Sequence, residues 1–329
     1  MKLLVTGGCG FIGSAYLRLF VPQRPHNHYT NLDLLTYAGN PKNVASVSAL
    51  PNYDFIHGDI RDNELVSNLA SSADGIIHFA AETHVDRSIE SSSAFVTTNV
   101  VGTHHIVEAA RHCEIPLLVV STDEVYGSLD EDDPPTSESS PLKGSSPYAA
   151  AKAGGDLLAL ASHRTFGTQV CITRCANNYG PYQYPEKLIP VLVRQALDGK
   201  PLTLYGDGRN LRDWLHVDDH ARAIDTVFSG GKSGEVYNIG GVPRRNIEIA
   251  KEVLIACNQP PDQLALISDR PGHDWRYAVD DRKIRSELNW KPLISFEEGM
   301  GETIQWYQSH ESWWRPLLGE AGGRRGLLN

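Results

Sequence analysis

Short apolar runs rich in branched residues alternate, over the first 180 positions, with stretches whose apolar residues recur every three or four places. The runs at 2–6, 28–34, 53–57, 75–81, 116–122 and 168–174 predict six strands, the one at 116–122 buried. Between the first two, Ile12, Ala15, Tyr16, Leu19 and Phe20 trace one helical face, and longer helices are expected at 93–112 and 148–164. Polar residues or glycine close each run at its carboxyl end. The pattern predicts an α/β chain with a doubly wound parallel sheet, right-handed crossovers and one binding edge. Beyond position 179 the rhythm loosens. A helix opening near Lys187, a strand at 202–205, a helix through Ile247, Ala250, Val253 and Leu254, and a last one through Phe296, Met300, Ile304 and Tyr307 predict a smaller α/β C-terminal substrate-binding domain. Segments 216–228 and 236–239 read as returns to the first domain. The expected division is 1–178 with returns near 215–240, then 179–214 with 241–310, then a tail at 311–329 in which Trp313-Trp314 can still pack.

The first strand runs straight into Gly7-x-x-Gly10-x-x-Gly13, which opens the first helix. Glycines at a strand-to-helix junction permit a tight turn and close approach of backbone N–H groups to a pyrophosphate, whose charge the helix N-terminus favours. That context identifies a dinucleotide fingerprint of the Rossmann type. Asp33 ends the second strand twenty residues beyond Gly13, placed to accept both ribose hydroxyls and to repel a 2′-phosphate. NAD is therefore favoured over NADP. Asp59 is placed to meet the adenine amino group, with capping of the helix from Asn63 as its alternative role. Small Ala80 and Ala81 let a cofactor lie against the backbone, and His84, at a strand's carboxyl end, is a candidate for substrate contact.

The run at 116–122 ends in Ser121-Thr122-Asp123-Glu124. Side chains alternate along a strand, so both carboxylates reach one substrate only if the backbone leaves extended geometry there. The dyad is accordingly expected on a turn. Tyr148 and Lys152 stand four apart, hence on one helical face, where a fixed cation would lower the phenol's pKa. Either piece alone is common in sequences. Behind a dinucleotide fingerprint they point to hydride transfer coupled to acid–base work.

Composition narrows the partners. With 30 basic against 40 acidic residues the net charge is −10, which argues against nucleic acid or an anionic membrane. No apolar run suits a signal peptide or a bilayer span, so the reading is cytoplasmic. Five cysteines with no zinc spacing predict reduced thiols and no metal. The run Asp130-Glu131-Asp132-Asp133 reads as solvated surface, inside a loop long enough to flank a site. Arginines interleaved with aromatics beyond position 205 suggest a pocket for a phosphorylated aromatic ligand.

These motifs resemble the extended short-chain dehydrogenase/reductase superfamily and, more closely, the dTDP-glucose 4,6-dehydratases, to about His310. The glycine motif and Tyr148-x-x-x-Lys152 match the superfamily at large. Ser121 to Gly127, Glu82 to Ser88, Asn177 to Tyr182, Arg212-Asp213-Trp214 and Arg270 to Asp274 resemble dehydratase segments. The resemblance implies a three-step dehydration of dTDP-glucose on tightly held NAD. Tyr148, aided by Lys152 and Thr122, would deprotonate the carbon-4 hydroxyl; Glu124 would take the carbon-5 proton; Asp123 would protonate the departing carbon-6 hydroxyl. It implies cofactor contacts from Gly7, Gly10, Phe11, Ile12, Gly13, Asp33, Asp59, Ile60, Ala80, Ala81, Thr83, Thr98, Tyr148, Lys152 and Asn178. The sugar would face Asn177, and the nucleotide would meet Lys187, Leu188, Thr203, Leu204, Tyr205, Arg212, Asn246, Arg270, His273 and Tyr277. A homodimer packed through the helices 93–112 and 148–164 is also implied. Cys9 departs from the alanine usual in the glycine loop, and Ala150-Ala151 from more polar residues. The alternatives are a sugar-nucleotide 4-epimerase or decarboxylase, from which the two carboxylates discriminate, and a non-catalytic NAD-binding regulator.

Overall fold

The computed structural model describes residues 1–269 and 273–318. Along them run β1 (Lys2–Thr6), β2 (His28–Asp33), β3 (Tyr53–His57), β4 (Gly75–His78), β5 (Leu117–Thr122) and β6 (Val170–Cys175). The shorter β7 (Asn177–Tyr179), β8 (Leu202–Tyr205), β9 (Leu211–His216), β10 (Val236–Ile239), β11 (Val242–Arg245) and β12 (Leu264–Ile267) follow. Seven of these form one sheet in the order β10-β6-β5-β4-β1-β2-β3, every pair parallel. The chain winds outward from β1 to β3, then returns to β4 and winds the other way. Carboxyl ends of β1 and β4 therefore flank the crevice where connections diverge, the usual ligand site of such sheets.

Burial explains the composition of the strands. Every residue of β5 is buried, as a strand covered on both faces requires. Neighbouring residues of β1 feed opposite cores: Leu3 and Val5 join Tyr16, Leu17 and Ile224, while Leu4 joins Ile76, Ile106 and Val119. A further core gathers Ile189, Leu192, Trp214, Ile249, Met300, Trp306 and Trp314 around the small sheet β11-β9-β7 and the pair β12-β8. Helices Leu188–Leu197, Asn246–Ala256 and Phe296–Ser309 enclose it, the last opened by a capping box of Ser295 and Glu298. Among the described residues, no helix is long and apolar enough to cross a membrane.

Three segments depart from the sequence expectation. The 93–112 helix is broken into Ser93–Val96, a wide π-turn at Thr97–Gly102, and Thr103–Cys113. Inside the wide turn, the Asn99 amide both accepts from Glu82 N and donates to Glu82 O, each at 2.9 Å. An extra residue per turn is thereby held, and such insertions concentrate at functional sites. The strand ending at His216 joins the small sheet, while helix Val217–Gly230 returns to pack on helix Phe11–Gln23, as read for 216–228. Glu311–Trp314, grouped with the tail, is a helix with Trp313 and Trp314 buried. The glycine and arginine stretch at 322–325 lies outside the described residues.

Candidate active site

Gly7 ends β1 at φ +73°, and a Cβ there would stand 2.5 Å from Ala80 N. A Cβ on Gly13 would stand 2.4 Å from Gly7 O. The loop is thus closed tightly against β4 and its own helix, with glycine required at both places. Helix Phe11–Gln23 starts at Gly10 with no side-chain cap, leaving its N-terminus to an anion. Asp33 is buried and accepts from Cys9 N and Leu35 N at 2.8 Å each. Burial lifts its carboxyl above the ordinary range against those two bonds. Burial also lifts Asp59, but hydrogen bonds from Arg61 outweigh it and hold Asp59 low. The capping role considered for Asp59 falls to Asp62, which accepts from Leu65 N at 3.0 Å. An uncapped helix N-terminus, tight glycines and a buried acid at the ribose position fit a dinucleotide.

Thr122 ends β5, and Asp123–Tyr126 form a single tight turn, as the alternation argument required. The Thr122 hydroxyl accepts from Glu124 N at 3.2 Å and donates to Asp123 Oδ1 at 3.3 Å. Helix Pro147–Phe166 begins at Ser146, whose side chain caps Ala149 N at 3.1 Å, and it carries Tyr148 and Lys152 inward. A cavity of about 430 Å³ brings the parts together. Gly7, Gly10, Phe11, Ile12, Gly13, Asp33, Asp59, Ile60, Ala80, Ala81, Thr83 and Thr98 line it. Thr122, Asp123, Glu124, Tyr148, Lys152, Asn177, Asn178 and Lys187 line it as well.

Electrostatics separate the groups in this cavity. Burial, then the Glu124 and Asp213 charges, push the Asp123 carboxyl well above the carboxylate range. That direction favours its protonated form, the form in which a carboxyl can donate a proton. The Tyr148 phenol is also raised, by burial and then Glu124, against a hydrogen bond with Thr122. Lowering by Lys152, expected from the four-residue spacing, is not found. Lys152 Nζ instead donates to Val120 O at 2.9 Å, and burial lowers its own pKa while Asp156 opposes. For both groups desolvation outweighs proximity.

The remaining candidates form a second group beside the first. Arg212 donates to Leu211 O, Trp275 O and Asp274 O at 2.7–3.0 Å and lies 4.4 Å over the Tyr277 ring. Tyr277 donates to Asp274, and Tyr205 meets His273 edge-on at 6.1 Å. Thr203 is held by Gln195, Leu188 opens its helix, and buried Asn246 opens another. The charge of Glu124 reaches Tyr277, so the two groups adjoin. Arg270 lies outside the described residues. His84 does not line the cavity: it caps helix Val85–Glu90, with Nε2 3.3 Å from Glu186 Oε2. The acidic loop is anchored, because Arg276 donates to Asp130 O, Glu131 O and Asp133 O, and Arg245 pairs with Glu131 at 3.1 Å. Sequence reasoning assigned no site role to Asn99, Tyr182, Asp213 or Trp313. A buried charge in the strand Leu211–His216 was the one available signal, for Asp213.

The model of the family described as GDP-mannose 4,6 dehydratase matches residues 4–303. A dTDP-glucose 4,6-dehydratase of Streptomyces niveus is 51% identical over 323 residues, 96% of each chain. The crystal structure of DesIV, a dTDP-glucose 4,6-dehydratase of Streptomyces venezuelae with NAD and TYD bound, superimposes with TM-score 0.93 at 50% identity, covering 96% of this chain and 100% of that one. A UDP-glucose 4-epimerase of Thermotoga maritima shares the fold at TM-score 0.87 but only 26% identity, over 94% and 99% of the two chains. On the match at half identity across nearly the whole length, the chain belongs to the dTDP-glucose 4,6-dehydratase family.

Proposed function

We propose that this protein converts dTDP-glucose to dTDP-4-keto-6-deoxyglucose, with NAD held in the cavity throughout. The observation that carries this reading is the Asp123–Glu124 turn facing Tyr148 within one enclosure. When bound, NAD supplies the acceptor for the carbon-4 hydride, its return to carbon 6, and a positive ring charge that favours the Tyr148 phenolate. Tyr148 takes the carbon-4 hydroxyl proton, with the Thr122 hydroxyl orienting the phenol. The new ketone acidifies carbon 5, whose proton passes to Glu124. Asp123, whose protonated form burial favours, delivers its proton to the leaving carbon-6 oxygen as water departs, and Glu124 gives its proton back to carbon 5 as carbon 6 is reduced. A 4-epimerase needs neither carboxyl group in those roles.

Asn177 and Lys187 are assigned to the sugar and its phosphates, and the Arg212–Tyr277 group to the nucleotide. Residues 1–178, with returns near 215–240, form the cofactor side; 179–214 and 241–310 form the nucleotide side, to which 311–318 is added. Val101, Leu157 and Phe166, between 41% and 62% exposed on the helices flanking the site, support pairing with a second copy. All five cysteines are unpaired, which suits a reducing compartment and a cytoplasmic reaction. Incubation with dTDP-glucose and mass spectrometry tests the reaction: loss of water is expected, and unchanged mass or loss of carbon dioxide overturns it. Sedimentation tests the dimer.

A further inference from the structure

Tyr182 and Trp313 stand in the cavity wall beside the glycine loop, outside the acid–base set. Trp313 is buried at 7% exposure and its indole Nε1–H donates to Asn43 Oδ1 at 3.1 Å, across 270 residues of chain. Asn43, itself a wall residue, passes the connection on: its Nδ2 donates to Cys9 O at 2.9 Å, inside the glycine loop. Arg18 braces the same junction, donating to Asn43 O and Ser14 Oγ at 2.9 Å with its guanidinium 4.1 Å over the Tyr182 ring. Tyr182 meets Trp313 edge-on at 5.8 Å and adopts φ +67°, a strained value for a residue with a side chain. Behind it, Trp314 donates to Tyr307 O at 2.8 Å and Tyr307 to Gln183 O.

We infer that helix Glu311–Trp314 is a cofactor-retaining strap, with Trp313 hooked on Asn43 as the catch. The inference rests on the reading that NAD occupies the cavity. Cofactor lying between Gly10 and Asp33 is walled by Asn43, Tyr182 and Trp313, so its exit requires the catch to open. Chemistry gives retention a purpose: a hydride removed from carbon 4 has to reach carbon 6 of the same sugar. Escape of the reduced cofactor between those steps would strand a ketone and an empty enzyme. Trp313 is thus a positioning residue, acting through the wall it completes.

The test compares NAD retained per chain after timed desalting of holoenzyme. Trp313→Phe keeps a ring and deletes one hydrogen bond, so NAD should leave about fivefold faster. Trp313→Ala opens the wall, and loss should be faster by on the order of a hundredfold. Turnover of both variants should become dependent on added NAD. Should the alanine variant fail to fold, the phenylalanine variant decides. If wild-type protein holds NAD and dehydrates dTDP-glucose while the variants hold NAD equally long, the strap is wrong and the function stands. Wild-type protein that neither carries NAD nor dehydrates the sugar would instead overturn the function.

Discussion

Asp213 is the most open to test of the residues to which the sequence assigned no role. It lies in β9 at 7% exposure, accepts a hydrogen bond from Val279 N–H, and is pushed up to about 7, chiefly by burial, with Asp281 adding and Val279 and Arg276 opposing. The unfolded chain would hold this carboxyl near 4. Between those values the folded protein binds a proton that the unfolded chain does not, so this residue's contribution to stability falls as pH rises through the window and levels off above it. The cost is roughly 4 kcal/mol at pH 8 and roughly 1.5 kcal/mol at pH 5, at about 1.4 kcal/mol per pKa unit. Asp213→Asn keeps the shape and the acceptor for Val279 but has no charge to bury. Its stability relative to wild type should therefore be greater at pH 8 than at pH 5, by roughly 2–3 kcal/mol.

Urea unfolding of both proteins at the two pH values measures that difference directly. A second arm follows from the charge of Asp213 helping to hold Asp123 protonated. Without it Asp123 ionises more readily, and the alkaline limb of the kcat–pH profile should move to lower pH. A stability difference that is the same at both pH values would refute the buried charge. An unmoved alkaline limb beside the expected stability change would show that Asp213 does not act on the acid.

Asp123→Asn and Glu124→Gln should each cut kcat by ~10²–10⁴-fold while stopped-flow absorbance still records reduced nicotinamide, because oxidation precedes elimination. Arg174 Nε donates to Asp156 at 2.8 Å and its guanidinium reaches Tyr126 Oη at 2.9 Å, all three buried. Arg174→Met would strand the Asp156 charge and should cost about 3–5 kcal/mol in denaturant unfolding, largely recovered by adding Asp156→Leu. Gly13→Ala drives a Cβ into Gly7 O, and purified protein should lose bound NAD, measured by extraction, even where circular dichroism reports a folded chain.

The parts legible in the sequence were those with a local physical cause. Each of the six apolar runs lies on its expected strand to within a few residues, although the edge strand β3 buries only Tyr53. The acid turn was forced by alternation, and Gly7 and Gly13 by the close approach they permit. What escaped depends on partners distant in the chain. The π-turn at Thr97–Gly102 exists with an amide gripping Glu82, which no apolar periodicity reports. Lys152 reaches Val120 O because β5 passes beneath its helix, a fact of tertiary packing. Trp313 meets Asn43 across 270 residues of chain, which no local pattern reports.

Two adjacent carboxyl groups serve as acid and base at one pH only if their surroundings differ. The turn after β5 creates that difference within a single residue step. It buries Asp123 to 3% exposure, with Oδ2 lacking any hydrogen-bond partner, and leaves Glu124 half-buried in the cavity wall. Ionising one of the pair raises the cost of ionising the other, so a shared proton stays where desolvation is greatest. That place is Asp123, which in the proposed reaction leaves Glu124 as the base. A regular strand would have sent the two side chains to opposite faces, and a longer loop would have solvated both. In the proposed reaction position 123 takes the acid's part through the bend that buries it, and the nearby charge of Asp213 deepens the same bias.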